Sequence, residues 1–110
     1  MSAAALDAGT TIVVARIHPL PGQEKQAEAA VTRAAPGILA EEGCEYYAPH
    51  RAADGTIVIV EKWSSRAALE AHSTGEAVGV LRSGLQGLTA AATEVTALNP
   101  LDVAGDGARL

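Results

Sequence analysis

Phenylalanine is absent from this 110-residue chain, and bulky aromatics are otherwise limited to two tyrosines and one tryptophan. A core built without them has few large side chains to fill it, and alanine supplies much of the 48% hydrophobic content. Small residues leave two outcomes: layers that approach closely, or a cavity between them. Cysteine occurs once, which excludes an internal disulfide and fits a reducing, cytoplasmic compartment. Basic residues are scarce and unclustered, 8 Lys and Arg against 13 Asp and Glu for a net charge of −5. That balance argues against a nucleic-acid partner, whose phosphates call for grouped cations. Apolar runs such as 12–15 and 57–60 fall far short of the roughly 18–20 residues that cross a bilayer, so no membrane partner is expected. The opening MSAAALDAGT has neither the basic start nor the apolar middle of a signal peptide. Three histidines without paired spacing make a poor metal-ligand set, and phosphate-binding loops and a Gly-x-Ser-x-Gly elbow are missing.

What is present reads as one domain, which at this length buries roughly 60–70% of its unfolded surface and gains from a partner subunit. TIVVARIH, residues 11–18, is β-branched and stops at PLPG, a strand followed by a helix opening. From Gln23 onward Ala27, Ala30, Val31, Ala34 and Ile38 recur at helical spacing, predicting an amphipathic helix kinked by Pro36 and capped by Gly43. Residues 44–51 and 56–63 form a predicted hairpin turned at AADG. SSRAALEAHSTG opens a short helix with capping serines. Val78, Leu81, Leu85 and Leu88 mark a third helix over 76–88, weakened by Gly79, Gly84 and Gly87. A last strand covers about 92–98, and the flanks 1–10 and 102–110 read as flexible arms around a domain spanning 11–101.

The order β-α-β-β-α-α-β is a split βαβ arrangement, an α+β domain with an antiparallel sheet and helices on one face. Its other face needs cover, and sheet-on-sheet pairing of two copies supplies it.

The stretch EEGCEYYAPHRAADGTIVIVEKWSSRAALEAHSTG, together with PG before the first helix and VTALNPLD near the end, resembles the antibiotic biosynthesis monooxygenase (quinol monooxygenase-like) family. Gly43-Cys44 followed by Tyr47, the Glu61-Lys62-Trp63 strand end and the Ala71-His72 pair carry the resemblance. It implies a ferredoxin-like four-stranded subunit that pairs into a dimeric α+β barrel. It also implies a pocket for a small aromatic substrate, a quinol or polycyclic phenol, which some relatives oxidise with molecular oxygen and no metal, flavin or haem. The chain departs from the family pattern after His72, where STGEAV lacks the usual proline, second histidine and large aromatic. Haem-degrading relatives use an asparagine on the first strand, an aromatic in place of His72 and a histidine near Leu81; none of these is present here.

A cofactor-independent oxygenase needs a base, an apolar chamber and groups that steady a developing anion. On that reading His72 accepts or relays a proton, and Tyr47 holds the substrate oxygen while Tyr46 faces the other side of the sheet. Trp63 forms a pocket wall. Glu61 shares the apolar face of Ile57, Ile59 and Trp63, which calls for a partner, and Arg16 on the neighbouring strand is the candidate. Arg82 on the third helix is placed to steady an anionic oxygen. His18 and His50, at strand ends, are weaker candidates, and Cys44 reads as a small buried hydrophobe. The alternative is a non-catalytic dimeric module that binds a small aromatic ligand or serves assembly.

Overall fold

A computed structural model describes residues 7–110. The elements are β1 (Thr11–Ile17), α1 (Glu24–Leu39), β2 (Cys44–Arg51), β3 (Ile57–Trp63), α2 (Arg66–Ser73), α3 (Glu76–Leu85) and β4 (Glu94–Leu98). The strands form one sheet in the order β2-β3-β1-β4, with every neighbouring pair antiparallel. This is the expected ferredoxin-like α+β fold.

Alternation along the central strands sets the layers. Val13 pairs with Glu61 and Ile17 with Ile57, and these odd-numbered residues turn to the helices. There Val13, Ile17, Ile57, Ile59 and Trp63 are at most 2% exposed. The even-numbered Ile12, Val14, Val58 and Val60 are only half-buried on the outer face, beside exposed Leu98 and Tyr46. Helix α1 lays Ala27, Ala30, Val31, Ala34 and Ile38 on the inner face, as the 3.6-residue period requires.

The shortage of bulky residues produces both of its expected results. A Cβ on Gly84 of α3 would come within 3.1 Å of the Ala30 Cβ on α1, so the two helices touch through their smallest side chains. Beneath α2 and α3, a hollow remains.

Local details differ from the sequence expectation at three places. Helix α1 runs on through Pro36 and ends at Ala40 in right-handed geometry. Gly43 is therefore not its cap; with φ +84° it forms the turn into β2, where a Cβ would lie 2.5 Å from that of Ala68. Helix α3 stops at Leu85 rather than Leu88, because Gly87 takes φ +80° and the Leu88 N–H donates back to the Leu85 carbonyl. β4 begins at Glu94, and Thr89 instead makes an isolated bridge to Pro19.

Of the expected arm 1–10, residues 1–6 lie outside the described residues. The Asp7 N–H donates to Asn99 Oδ1 at 2.9 Å, and Asn99 Nδ2 donates to the Thr10 carbonyl. Residues 101–110 are exposed, and the Leu110 carbonyl accepts from Lys62 Nζ at 3.0 Å. Among the described residues no helix is long and apolar enough to cross a membrane.

Candidate functional site

The hollow between the sheet and helices α2 and α3 has a volume of about 290 Å³. That is near the lower end of the roughly 300–1,000 Å³ typical of small-molecule sites. Val13, Ala15, Ile59 and Leu81 make its apolar walls, and Tyr47, Glu61, His72 and Arg82 are the polar groups with a prospect of chemistry.

Each arrives by a simple local rule. Tyr47 and Glu61 are Cα partners across β2 and β3, so they share the inner face of the sheet. An extra residue in β2 between Cys44 and Tyr46 shifts the register there, and beyond it Tyr46 is exposed while Tyr47 is buried. His72 comes from the last turn of α2, whose start is fixed by the Ser65 side chain accepting from the Ala68 N–H.

Burial and hydrogen bonding tune these groups. Glu61 is 5% exposed, and loss of water pushes its carboxyl above the ordinary value, opposed by the hydrogen bond from Trp63 and the nearby His72. The indole Nε1–H donates to Glu61 Oε1 at 2.9 Å. Tyr47 is also pushed up, by burial first and then by the charge of Glu61, so its hydroxyl stays protonated and able to donate. His72 Nδ1 lies 2.6 Å from Glu41 Oε1, and the imidazole stacks on Trp63 with ring centroids 4.5 Å apart and planes tilted by 32°. Arg82 Nη2 donates to the Ser73 carbonyl at 3.2 Å where the cavity meets Thr93 and Val95 near β4.

With fold and site in view, the family model described as antibiotic biosynthesis monooxygenase matches residues 10–82. The chain belongs to the antibiotic biosynthesis monooxygenase family. The similar solved structures include Rv0793 from Mycobacterium tuberculosis, at 31% identity and TM-score 0.78, covering 87% of this chain and 99% of that one. PA3566 from Pseudomonas aeruginosa is 24% identical with TM-score 0.77, covering 86% and 96%. A Caulobacter crescentus protein provisionally named an antibiotic biosynthesis monooxygenase is 21% identical with TM-score 0.79, covering 86% and 92%. No curated protein is a significant match.

In this family member, four of the five residues singled out from the sequence line one cavity. Trp63 does not; it is 0% exposed and acts from behind, holding Glu61 by its N–H and His72 by its ring face. Arg16 is not the partner of Glu61. It pairs with Val58 and is exposed on the outer face, because residues 13 and 16 of a strand point to opposite sides; Trp63 fills the role instead.

His18 binds Glu94 through Nε2 at 2.7 Å, away from the cavity. His50 lies with Glu28 and Arg51 in a separate hollow between α1 and β2. Cys44 is part-buried, and burial pushes its thiol up, as suits an unreactive side chain.

The residue that sequence reasoning missed is Glu41. It stands 31 positions from His72, beyond any helical or strand period. The signal nearest to it is Gly75, where a Cβ would sit 2.9 Å from Glu41 Oε2.

Proposed function

We propose that this protein is a homodimeric monooxygenase that oxidises a quinol or polycyclic phenol with molecular oxygen, without flavin, haem or metal. The observation that carries the reading is the convergence of Tyr47, Glu61 and His72 on one apolar cavity. Family membership supports oxygenase chemistry, and the apolar walls suit an aromatic ring. Among the described residues no three His, Cys, Asp or Glu side chains gather to hold a metal ion.

The chemistry follows from the groups present. His72 takes the substrate's phenolic proton, leaving an electron-rich anion that itself supplies electrons to oxygen. Tyr47, kept protonated by burial, donates to the anionic oxygen. Glu61, its carboxyl pushed up by burial, borders the same cavity and is held in place by the Trp63 N–H. Arg82 adds a positive charge at the other side of the cavity. In an anthrone-like phenol the ring CH₂ then becomes C=O, one atom of O₂ forming the carbonyl and the other leaving as water, with His72 returning its proton and all four electrons drawn from the substrate.

Dimerisation is supported by the outer sheet face, where Ile12, Val14, Val58 and Val60 are only half-buried and Leu98 is exposed. Pairing two such faces removes that apolar area from water. A cytoplasmic setting accords with the single free thiol.

Labelled oxygen tests the reading. Metal-stripped protein incubated with anthrone-like phenols under ¹⁸O₂ should yield product carrying one labelled atom, above the autoxidation rate. Product formed only at the buffer rate across hydroquinones and phenols would leave a ligand-binding module as the better account.

A further inference from the structure

His72 separates two hollows of different character. One is the inner cavity, which it lines with Tyr47 and Glu61. The other is an outer groove of about 630 Å³, lined by Glu41, Glu42, Gly43, Ser64, Ser65 and the outer side of α2. Glu41 lines the groove and not the cavity, so Nδ1 is engaged from the outer side at 2.6 Å. The His72 side chain is 9% exposed and that of Glu41 21%.

Among the described residues, nothing donates to or accepts from His72 Nε2, and no buried side-chain nitrogen or oxygen is left without a partner. Nε2 is therefore not completely enclosed, and the His72 side chain borders the cavity. Trp63 fixes the ring plane from a third direction. The fold also keeps position 75 bare: a Cβ there would press on Glu41 Oε2 at 2.9 Å and on the carbonyls of Ala71 and His72.

We propose that Glu41 is a positioning residue that holds His72 in its Nδ1–H tautomer, so that unprotonated Nε2 is presented to the cavity as the base. The inference rests on the oxygenase reading for its consequence in turnover, but the tautomer itself does not. A carboxylate accepting from Nδ1–H fixes both the ring orientation and which nitrogen is free, and it balances the imidazolium formed when Nε2 takes the substrate proton. The phenolic O–H bond breaks and an Nε2–H bond forms. The electron pair stays on the substrate oxygen and Glu41 remains ionised. Because Glu41 borders an open groove, a small carboxylate from solution can enter the space its removal leaves.

Imidazole nitrogen NMR at alkaline pH, where the rings are neutral, tests the tautomer without any substrate. His18 is the internal control, since its carboxylate partner binds Nε2 and calls for the opposite tautomer. Wild-type protein should show His72 protonated at Nδ1, Glu41→Ala should show a mixture, and His18 should be unchanged in both. In turnover, Glu41→Ala should lower kcat at least about tenfold, bounded by the about 10²–10⁴-fold contribution of the base itself. KM should barely move, and sodium formate should restore most of kcat. Gly75→Ala should give a weaker version of the same defect.

His72 protonated at Nε2 in wild type, or a tautomer unchanged in Glu41→Ala, overturns the proposal whatever the activity. A wild-type protein that turns over while Glu41→Ala matches it overturns the proposal and leaves the oxygenase reading standing. The predicted tautomers in a protein that oxidises nothing sink the oxygenase reading alone.

Discussion

Trp63 and Glu61 lie two residues apart on the inner face of β3, and the indole N–H of one donates to the carboxylate of the other at 2.9 Å. The same tryptophan ring stacks on His72. One fully buried side chain thus supports both the acidic and the imidazole group of the cavity, which explains why the sole tryptophan is spent here rather than on the open wall.

Trp63→Phe should keep a ring in place and remove the N–H donor. The Glu61 carboxyl then loses its partner and the one hydrogen bond that opposes burial. Leaving such a group unsatisfied costs about 1–3 kcal/mol, beyond the loss from the smaller ring. Denaturant melts should show that cost, and the same change in a Glu61→Met background should cost less, because no stranded acceptor remains.

Glu61 also imposes a pH dependence on stability. Its folded pKa is raised above the ordinary 4.5 by burial, so the folded chain holds this proton more tightly than the unfolded chain does. The contribution is full below pH 4.5 and is lost as pH rises through the raised folded value. Thermal melts of Glu61→Gln should lack this decline, so its Tm should gain on wild type from mildly acid to neutral pH. Parallel Tm curves for the two proteins over that window would show that Glu61 does not titrate as described.

Two glycines should respond in opposite directions to alanine. Gly79 lies inside α3 with open space where a Cβ would go, so Gly79→Ala should stabilise by about 0.5–1 kcal/mol through helix propensity. Gly43 has φ +84° and its Cβ would strike Ala68 and Ser64, so Gly43→Ala should destabilise by about 1–3 kcal/mol. Equal effects in chemical denaturation would contradict this assignment of roles.

The fold was legible because its elements obey short periods. Alternation over residues 57–63 placed Glu61 and Trp63 together, and the turn at Asp54-Gly55 fixed the hairpin; the Thr56 N–H donates to Asp54 Oδ1 at 3.0 Å. Arg16 was a misreading of a different kind: strand order makes β1 and β3 neighbours, but only the parity of residues 13 and 16 shows which one faces Glu61. Glu41 was out of reach, because its meeting with His72 depends on how the end of α1 docks against the end of α2. Neither helix carries a mark of that docking except the bare backbone at Gly75. The ends of α3 and β4 were set by Gly87 and the Pro19–Thr89 bridge, a tertiary contact that no local pattern announces.

The proposed chemistry has His72 and Tyr47 carry out oxygenation in the cavity without a cofactor. Oxygen uptake by metal-stripped protein with a panel of hydroquinones and anthrone-like phenols, in chelator, tests it most directly. Uptake above the buffer rate in wild type should fall by about 10²–10⁴-fold in His72→Ala and by a smaller factor in Tyr47→Phe. Enzyme-dependent uptake that both variants retain in full would contradict the account.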